Sequence, residues 1–303
     1  MRQVILLMGP TASGKSALAL DVAEAIGAEI ISVDSAQVYR GMDIGTAKPD
    51  AAERRRVPHH LIDVRDPEQS FSAADFAELA ACRMREIIAR GRTPLLVGGT
   101  MLYFRALLEG LDPMPEIDPA VRAALRARLP EVGAQGLHRE LSAVDAAAAA
   151  RIHPNDPQRI LRALEVFFST GRPLSSFQSG ERRRPPAHWR SLALWPEDRA
   201  RLRRRIAERF DAMLDAGFTE ELERLAARPH LTAEHVSQRA VGYRQGWRWL
   251  SGFYGLDEFR QRSIDATRQL AKRQLTWLRG QQGIERLCAE TADVGAVLAR
   301  LAR

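Results

Sequence analysis

Cysteine is scarce in this sequence of 303 residues, which contains two, Cys82 and Cys288. They lie far apart and outside any metal-ligand spacing, so a disulfide framework is excluded and a reducing, cytoplasmic location is expected. Long hydrophobic runs are also missing. None approaches the roughly 20 residues that span a bilayer, so no membrane association is expected. The N-terminal apolar stretch lacks a small-residue cleavage site, and we therefore expect no secretory signal.

Lysine is also scarce, because arginine supplies nearly all of the positive charge. Three lysines, at positions 15, 48 and 272, contribute to the 45 basic side chains. The net charge is +7 and the pI is ≈ 10.0, which suits nucleic acid or a polyanionic small molecule. A codon-composition bias also produces excess arginine, so charge alone favours an RNA or DNA partner only weakly. The seven histidines show no zinc spacing.

Short apolar runs of strand length recur along the chain, and helical patterns separate the early ones. We predict strands at residues 4–8, 29–33, 61–64, 94–98, 191–195 and 284–288. Helices are predicted between the early strands, at residues 15–26 and 72–90. Strands that alternate with helices predict an α/β fold with a mainly parallel sheet covered on both faces.

The middle of the sequence differs, because it contains helical patterns and no convincing strand. The helical stretches are residues 119–129, 136–141, 143–152 and 158–169. Proline pairs at 113 with 115 and at 185 with 186 mark its margins. We predict a helical insertion domain at residues 114–186, within a core formed by residues 1–113 and 187–303 that ends in C-terminal helices.

A glycine-rich turn follows the first predicted strand. It reads Gly9-Pro10-Thr11-Ala12-Ser13-Gly14-Lys15-Ser16, which matches the phosphate-binding pattern G-x-x-x-x-G-K-[ST] in its strand–loop–helix context. Backbone N–H groups and the helix N-terminus favour a bound phosphate. Lys15 adds a formal charge, and the Ser16 hydroxyl is placed to bind Mg²⁺. The core is therefore predicted to be P-loop NTPase-like, although the motif does not identify the phosphate compound.

A second magnesium-binding acid, usual in P-loop kinases and ATPases, is missing from the later strands. The strand at 94–98 is followed by Gly99 and Thr100, with no acid. Asp34 follows the strand at 29–33 and is expected near the phosphate loop, because ligands gather at the carboxyl ends of parallel strands. The residues alone leave open whether Asp34 serves the site or only forms an Asx-turn before Ser35.

Sequence blocks along essentially the whole chain closely resemble the bacterial tRNA dimethylallyltransferases, also called tRNA isopentenyltransferases. The blocks are residues 9–16, 34–49, 98–103, 155–159 with 162–165, 241–245, and 267–274 with 276–279. The resemblance implies transfer of a dimethylallyl group from its diphosphate to N6 of the adenine on the 3′ side of the tRNA anticodon. Diphosphate is then a leaving group, which explains the missing second acid.

The resemblance also implies roles for individual residues. Asp34 would be the general base that accepts the proton of the amine, and Thr100 would hold the substrate end of the site. Arg205, Lys15 and Mg²⁺ at Ser16 would stabilise the departing diphosphate. The implied diphosphate-binding residues are Gly9, Thr11, Ala12, Ser13, Gly14, Lys15 and Ser16.

The implied tRNA partner requires a surface that reads an anticodon loop. The adenine must leave its stack to reach the site, and flanking bases are read as unpaired edges. The implied tRNA contacts are Asp34, Ser35, Ala36, Gln37, Thr100, Arg122, Gln158, Arg159, Arg162, Arg239, Gly242, Tyr243, Arg244, Lys272, Arg273 and Arg279. We expect the protein to act as a monomer.

A P-loop also occurs in two other classes of protein. A nucleoside-monophosphate-type kinase would use the helical insertion as an arginine-bearing lid, but the missing magnesium acid disfavours it. A non-catalytic RNA-binding protein would not need Lys15, Ser16 and Asp34 together. A related enzyme class that prenylates free adenine nucleotides is expected to lack the basic C-terminal blocks.

Overall fold

The computed structural model describes residues 3–178, 180, 185–186 and 188–302. It divides into two compact units, one formed by Met1–Leu108 with Arg184–Arg303 and the other by Glu109–Arg183. Residue 187, where the second core segment is predicted to begin, lies outside the described residues. No helix of the described chain has the length and apolar character needed to cross a membrane.

A six-stranded sheet forms the centre of the larger unit. Its strands are β1 (Val4–Met8), β2 (Ala28–Val33), β3 (His59–His60), β4 (Thr93–Gly98), β5 (Trp189–Trp195) and β6 (Glu285–Cys288). Their order is β3-β2-β4-β1-β5-β6, and each neighbouring pair is parallel. The predicted parallel α/β architecture is confirmed.

Both faces of this sheet are buried. Val4 and Leu6 of β1 belong to one apolar cluster, and Ile5 and Leu7 belong to another, because alternate side chains of a strand point to opposite faces. The larger unit also contains nine α-helices within the described residues. They are α1 (Lys15–Ile26), α2 (Ala51–Arg56), α3 (Ala73–Ala89), α4 (Met101–Glu109), α8 (Arg199–Asp215), α9 (Phe218–Ala226), α10 (Tyr243–Leu250), α11 (Leu256–Arg279) and α12 (Val294–Leu301).

The predicted strand at 61–64 is wrong. The strand in that region is β3, which ends at His60. Leu61 and Asp63 have φ angles of 61° and 57°, and these left-handed conformations cannot continue an extended strand. The apolar residues that suggested a strand instead belong to a turn.

The smaller unit is helical, as its sequence predicts. Its helices are α5 (Pro119–Val144), α6 (Ala146–Arg151) and α7 (Pro157–Thr170), and its described residues contain no strand. The predicted break between two helices falls inside α5, where Gly133 has a φ of 67°. The side chains of Asp118, Asp145 and Asp156 cap the starts of the three helices, because each accepts a hydrogen bond from a free backbone N–H.

Candidate active site

The phosphate loop, residues 9–16, connects the carboxyl end of β1 to the first turn of α1. Ala12 and Gly14 have positive φ angles of 61° and 93°, which turn the backbone sharply before the helix. The Lys15 ammonium returns to the loop and donates to the Pro10 carbonyl at 3.2 Å. A small cavity of ≈ 140 Å³ lies over this loop. The loop therefore surrounds a space with N–H groups and a cation, as a phosphate requires.

Two arginines of α8 complete this cavity. Arg205 and Arg209 both line it, because residues four apart lie on the same side of a helix. The Arg205 guanidinium lies over Gly14, where a Cβ would come within 3.4 Å of its Nη2. The described chain provides no hydrogen bond or ion pair to Arg209. Arg209 also lines a neighbouring cavity of ≈ 910 Å³ with Lys48 and Met213.

The charged groups around the cavity shift the pKa values of Lys15 and Arg209. Burial and the charge of Arg209 lower the pKa of Lys15 to about 8, against the opposing effect of the Asp34 carboxylate. Burial also lowers the pKa of Arg209, and so does the charge of Arg205, whereas Asp34 raises it. Three cations thus surround the cavity with one carboxylate nearby. A bound diphosphate would neutralise this excess of positive charge.

Ser13 does not line this cavity. It is 2% exposed, close to Gly9, and has no hydrogen-bond partner. The Thr11 backbone N–H is also occupied, since it donates to the Gln274 side chain at 2.9 Å. The predicted diphosphate contacts of Thr11 and Ser13 therefore cannot use the Thr11 amide or the Ser13 hydroxyl in this conformation.

Asp34 forms the Asx-turn that its sequence position allows, and its carboxylate also acts on the cations of the cavity. Its Oδ1 accepts hydrogen bonds from the backbone N–H groups of Ala36 at 2.8 Å and Gln37 at 3.3 Å, which is an Asx-turn. Its negative charge also acts to raise the pKa values of Lys15 and Arg209. Within the described chain Oδ2 accepts no hydrogen bond, so that oxygen is available to receive a proton.

Thr100 is held beside Asp34 although it follows a different strand. Its Oγ1 accepts a hydrogen bond from the Ser35 N–H at 3.0 Å and lies 3.3 Å from the Ser35 hydroxyl. The ends of β2 and β4 approach closely at Gly98. A Cβ at this position would lie 2.0 Å from the Val33 carbonyl oxygen. Only glycine allows this approach. The structure thus places the predicted residues Asp34, Ser35 and Thr100 together.

Gln37 is less available for base recognition than the sequence suggests. Its amide nitrogen donates to the carbonyls of Thr46 and Ala47 at 3.3 and 3.2 Å. Its amide oxygen accepts from the Ser32 hydroxyl at 2.8 Å. Both donor hydrogens are therefore used within the protein, and reading a base edge through them would require the amide to release the 46–47 backbone.

The segment that follows is fixed by buried charges. The Lys48 ammonium donates to the Tyr39 carbonyl at 2.7 Å and to the carboxylates of Asp43 at 2.5 Å and Asp63 at 2.6 Å. The Glu221 carboxylate accepts the backbone N–H groups of residues 43, 44 and 45. The partners of Lys48 lie within 15 residues of it in sequence, whereas Glu221 comes from a segment 176–178 residues away.

The predicted tRNA residues of the larger unit fall into two groups. The side chains of Arg239, Arg244, Lys272, Arg273 and Arg279 are exposed. Gly242 is buried, and Tyr243 is 0% exposed, with its hydroxyl donating to Glu221 at 2.6 Å. The Tyr243 side chain belongs to the core, so the tRNA contact of this residue stays a prediction and would involve its backbone.

The smaller unit carries the remaining predicted tRNA residues. Gln158 and Arg159 are exposed, and Arg159 pairs with Asp156 of the same helix at 3.4 Å. Arg122 and Arg162 approach the nearly buried carboxylate of Glu165 at 3.5 and 4.0 Å. Glu165 thus orients both guanidinium groups on one side of the unit.

A magnesium site formed by the protein alone is absent from the described chain. It contains no group of three or more His, Cys, Asp or Glu side chains that could hold a metal ion. Mg²⁺ retains several waters and is held by few protein ligands when it accompanies phosphates. The exposed Ser16 hydroxyl at the start of α1 fits such a site, in which diphosphate oxygens and water supply the other ligands.

Comparison with known proteins decides among the interpretations. The IPP transferase family model matches residues 37–281, most of the chain. The chain belongs to the IPP transferase family. The tRNA dimethylallyltransferase of Thioalkalivibrio sulfidiphilus is 55% identical over 298 residues, which covers 98% of this chain and 93% of that protein. The Bordetella pertussis tRNA dimethylallyltransferase is 56% identical over 283 residues, covering 92% and 90%.

Solved structures agree with this assignment. The tRNA isopentenylpyrophosphate transferase of Bacillus halodurans has a TM-score of 0.72 and 36% identity, and the match covers 100% of this chain and 97% of that one. A eukaryotic dimethylallyltransferase acting on tRNA has a TM-score of 0.76 and 26% identity, covering 95% and 74%. The resemblance seen in the sequence is confirmed. An IPP transferase is a prenyltransferase, so the kinase interpretation is rejected.

Sequence reasoning missed two residues of this IPP transferase site. Arg209 lies one helical turn from Arg205, and that spacing could have revealed it. Gln274 contacts the phosphate loop from α11, 263 residues away in sequence from Thr11. No local pattern signals such a contact.

Proposed function

We propose that this IPP transferase moves the dimethylallyl group of dimethylallyl diphosphate to N6 of the adenine on the 3′ side of a tRNA anticodon. The single observation that carries the proposal is the cationic cavity over the phosphate loop, with the free oxygen of Asp34 nearby. Relatives named tRNA dimethylallyltransferase over nearly the whole chain support the same reaction. The cavity suits the leaving group, and Asp34 suits the attacking amine.

The reaction exchanges one bond at the allylic carbon and transfers one proton. The adenine amine attacks the allylic carbon, a C–N bond forms, and the C–O bond to diphosphate breaks. The proton released from N6 passes to the Asp34 carboxylate, whose Oδ2 has no partner within the described chain. Diphosphate leaves with the electron pair of the broken bond.

Charge on the departing diphosphate is stabilised by groups that are in place beforehand. Lys15, Arg205 and Arg209 line the cavity, so little reorganisation is needed as charge develops. When bound at Ser16, Mg²⁺ would neutralise part of the same charge. The hydrogen bond between Thr100 and Ser35 keeps the Asp34 turn close to the end of β4.

The tRNA contact is proposed at the anticodon loop. An adenine stacked in that loop cannot reach Asp34, so we propose that it is turned out of the stack. Exposed cations on α10 and α11, among them Arg244, Lys272 and Arg273, would hold the RNA backbone. We also propose that the enzyme acts in the cytoplasm and that it is a monomer. Sedimentation with and without tRNA tests the oligomeric state.

The decisive experiment combines dimethylallyl diphosphate, Mg²⁺ and unmodified tRNA with the protein, followed by nucleoside mass analysis and pyrophosphate assay. We expect one dimethylallyl group per modified adenine and one pyrophosphate per transfer. A parallel reaction with ATP in place of the allylic donor provides the control. Rapid ATP consumption with unmodified RNA in the presence of the allylic donor would contradict the proposal.

A further inference from the structure

Gln274 connects two parts of the active site that lie far apart in sequence. It is 6% exposed on α11. Its Oε1 accepts the Thr11 N–H of the phosphate loop at 2.9 Å, and its Nε2 donates to the Gly99 carbonyl at 2.8 Å. One buried amide therefore contacts both the diphosphate loop and the chain that leaves β4.

The contact with Gly99 is close. A Cβ on Gly99 would lie 2.4 Å from the Gln274 Nε2, so the amide packs directly on the backbone there. The next residue, Thr100, bonds to Ser35 beside Asp34. Gln274 consequently lies between the loop proposed to hold the leaving group and the residues proposed to serve the attacking amine.

Only an amide of this length supplies both interactions. It presents one acceptor and two donor hydrogens on the same flat group. A carboxylate would keep the acceptor for Thr11 and set a second acceptor against the Gly99 carbonyl. An aliphatic side chain would leave both buried backbone groups without a partner, which costs free energy.

We propose that Gln274 is a positioning residue for the transfer reaction, which fixes the spacing between the phosphate loop and the Gly99–Thr100 backbone. This inference rests on the proposed function. The helix that carries Gln274 also exposes Lys272 and Arg273, the proposed tRNA contacts. The same helix therefore supports the loop for one substrate and presents cations to the other.

The test compares Gln274→Leu and Gln274→Glu with two control variants on α11. Leu275→Ala truncates a side chain that is 4% exposed and lowers stability without removing either hydrogen bond. Gln269→Leu alters an exposed glutamine. For each variant the measurements are the melting temperature, kcat per folded enzyme, and separate KM values for dimethylallyl diphosphate and tRNA.

We expect Gln274→Leu to lower kcat/KM for dimethylallyl diphosphate at least about tenfold and to change KM for tRNA less than about twofold. Gln274→Glu should recover part of this loss, because it retains the acceptor for Thr11. Leu275→Ala should lower the melting temperature and leave both KM values near those of the wild type. Gln269→Leu should resemble the wild type throughout.

Wild-type kinetic constants per folded Gln274→Leu enzyme would overturn the inference, and so would the same kinetic loss in Leu275→Ala. If Gln274→Leu does not fold, Gln274→Glu decides, and wild-type constants in that variant overturn the inference. Failure of the wild-type protein to transfer the group would instead contradict the proposed function. The two failures are therefore distinguishable.

Discussion

Thr100 accepts a hydrogen bond from the backbone N–H of Ser35 at 3.0 Å, although the two residues follow different strands of the sheet. This bond joins the chain after β4 to the turn that Asp34 begins. Because Asp34 is the proposed base, the bond fixes where the base lies relative to the rest of the site.

Thr100→Val keeps the shape of the side chain and removes the acceptor for Ser35. A lost hydrogen bond of about 1 kcal/mol would let the Asp34 turn move, and we expect about a fivefold loss in the transfer rate. Thr100→Ser retains the hydroxyl and should keep most of the activity. Single-turnover transfer measures both variants. Equal rates for Thr100→Val and the wild type would contradict this role.

Asp34→Asn tests the base while preserving its turn. The Asn side-chain oxygen can still accept the N–H groups of Ala36 and Gln37, but the amide cannot take a proton. We expect transfer to slow by about 10²–10⁴-fold and tRNA affinity to stay near that of the wild type. Filter binding and single-turnover assays separate the two quantities. Unchanged turnover would remove Asp34 from its proposed role.

Arg209→Gln tests the arginine that lines the phosphate cavity beyond Arg205. Charge-assisted hydrogen bonds contribute about 1.5–3 kcal/mol, so we expect KM for dimethylallyl diphosphate to rise by about 10–150-fold. Arg203→Gln is the matched control, because Arg203 is exposed on the same helix and does not line the cavity. Equal KM values for the two variants would contradict a contact between Arg209 and the diphosphate.

Diphosphate binding should depend on pH through Lys15. Its pKa of about 8 means that the ammonium is charged below pH 8 and loses its charge as pH rises through that value. We therefore expect affinity for pyrophosphate with Mg²⁺ to fall between about pH 7 and pH 9. Lys15→Arg stays charged over this range and reports any pH dependence of the ligand itself. Identical pH profiles for both proteins would contradict the prediction.

Salt should weaken tRNA binding through counterion release. Removal of Lys272 and Arg273 together should lower the slope of log K against log[salt] by about one per lost cation. Arg262→Ala on the same helix is the control, because Arg262 pairs with Glu258 at 2.7 Å. An unchanged slope in the double variant would place the RNA elsewhere.

Local sequence patterns predicted β1 and α1 with the bounds that the structure has. The apolar run of a buried strand and the glycines around a helix are short-range signals. The signal failed at β3, because the two histidines that form it lack the apolar character of the other strands. Their pairing with β2 is a property of the folded sheet.

The residues of the site also divide into those that local sequence predicts and those that distant contacts position. The phosphate loop and Asp34 follow directly after strands, so their proximity could be predicted from the sequence. The link from Gln274 to Thr11, the bonds of Glu221 to residues 43–45 and the burial of Tyr243 depend on segments that meet only in the folded chain. A motif gives the residue types of a site, but it does not identify the side chains from other segments that hydrogen-bond to them.

The bond from Thr11 to Gln274 has a consequence for biosynthesis. The glycine-rich loop is translated well before its supporting amide, which follows Thr11 by 263 residues. A nascent or truncated polypeptide that stops before α11 already contains the entire motif, yet its loop has no such support. If Gln274 positions the loop as proposed, a fragment that ends before α11 is expected to lack transfer activity although it contains the whole motif.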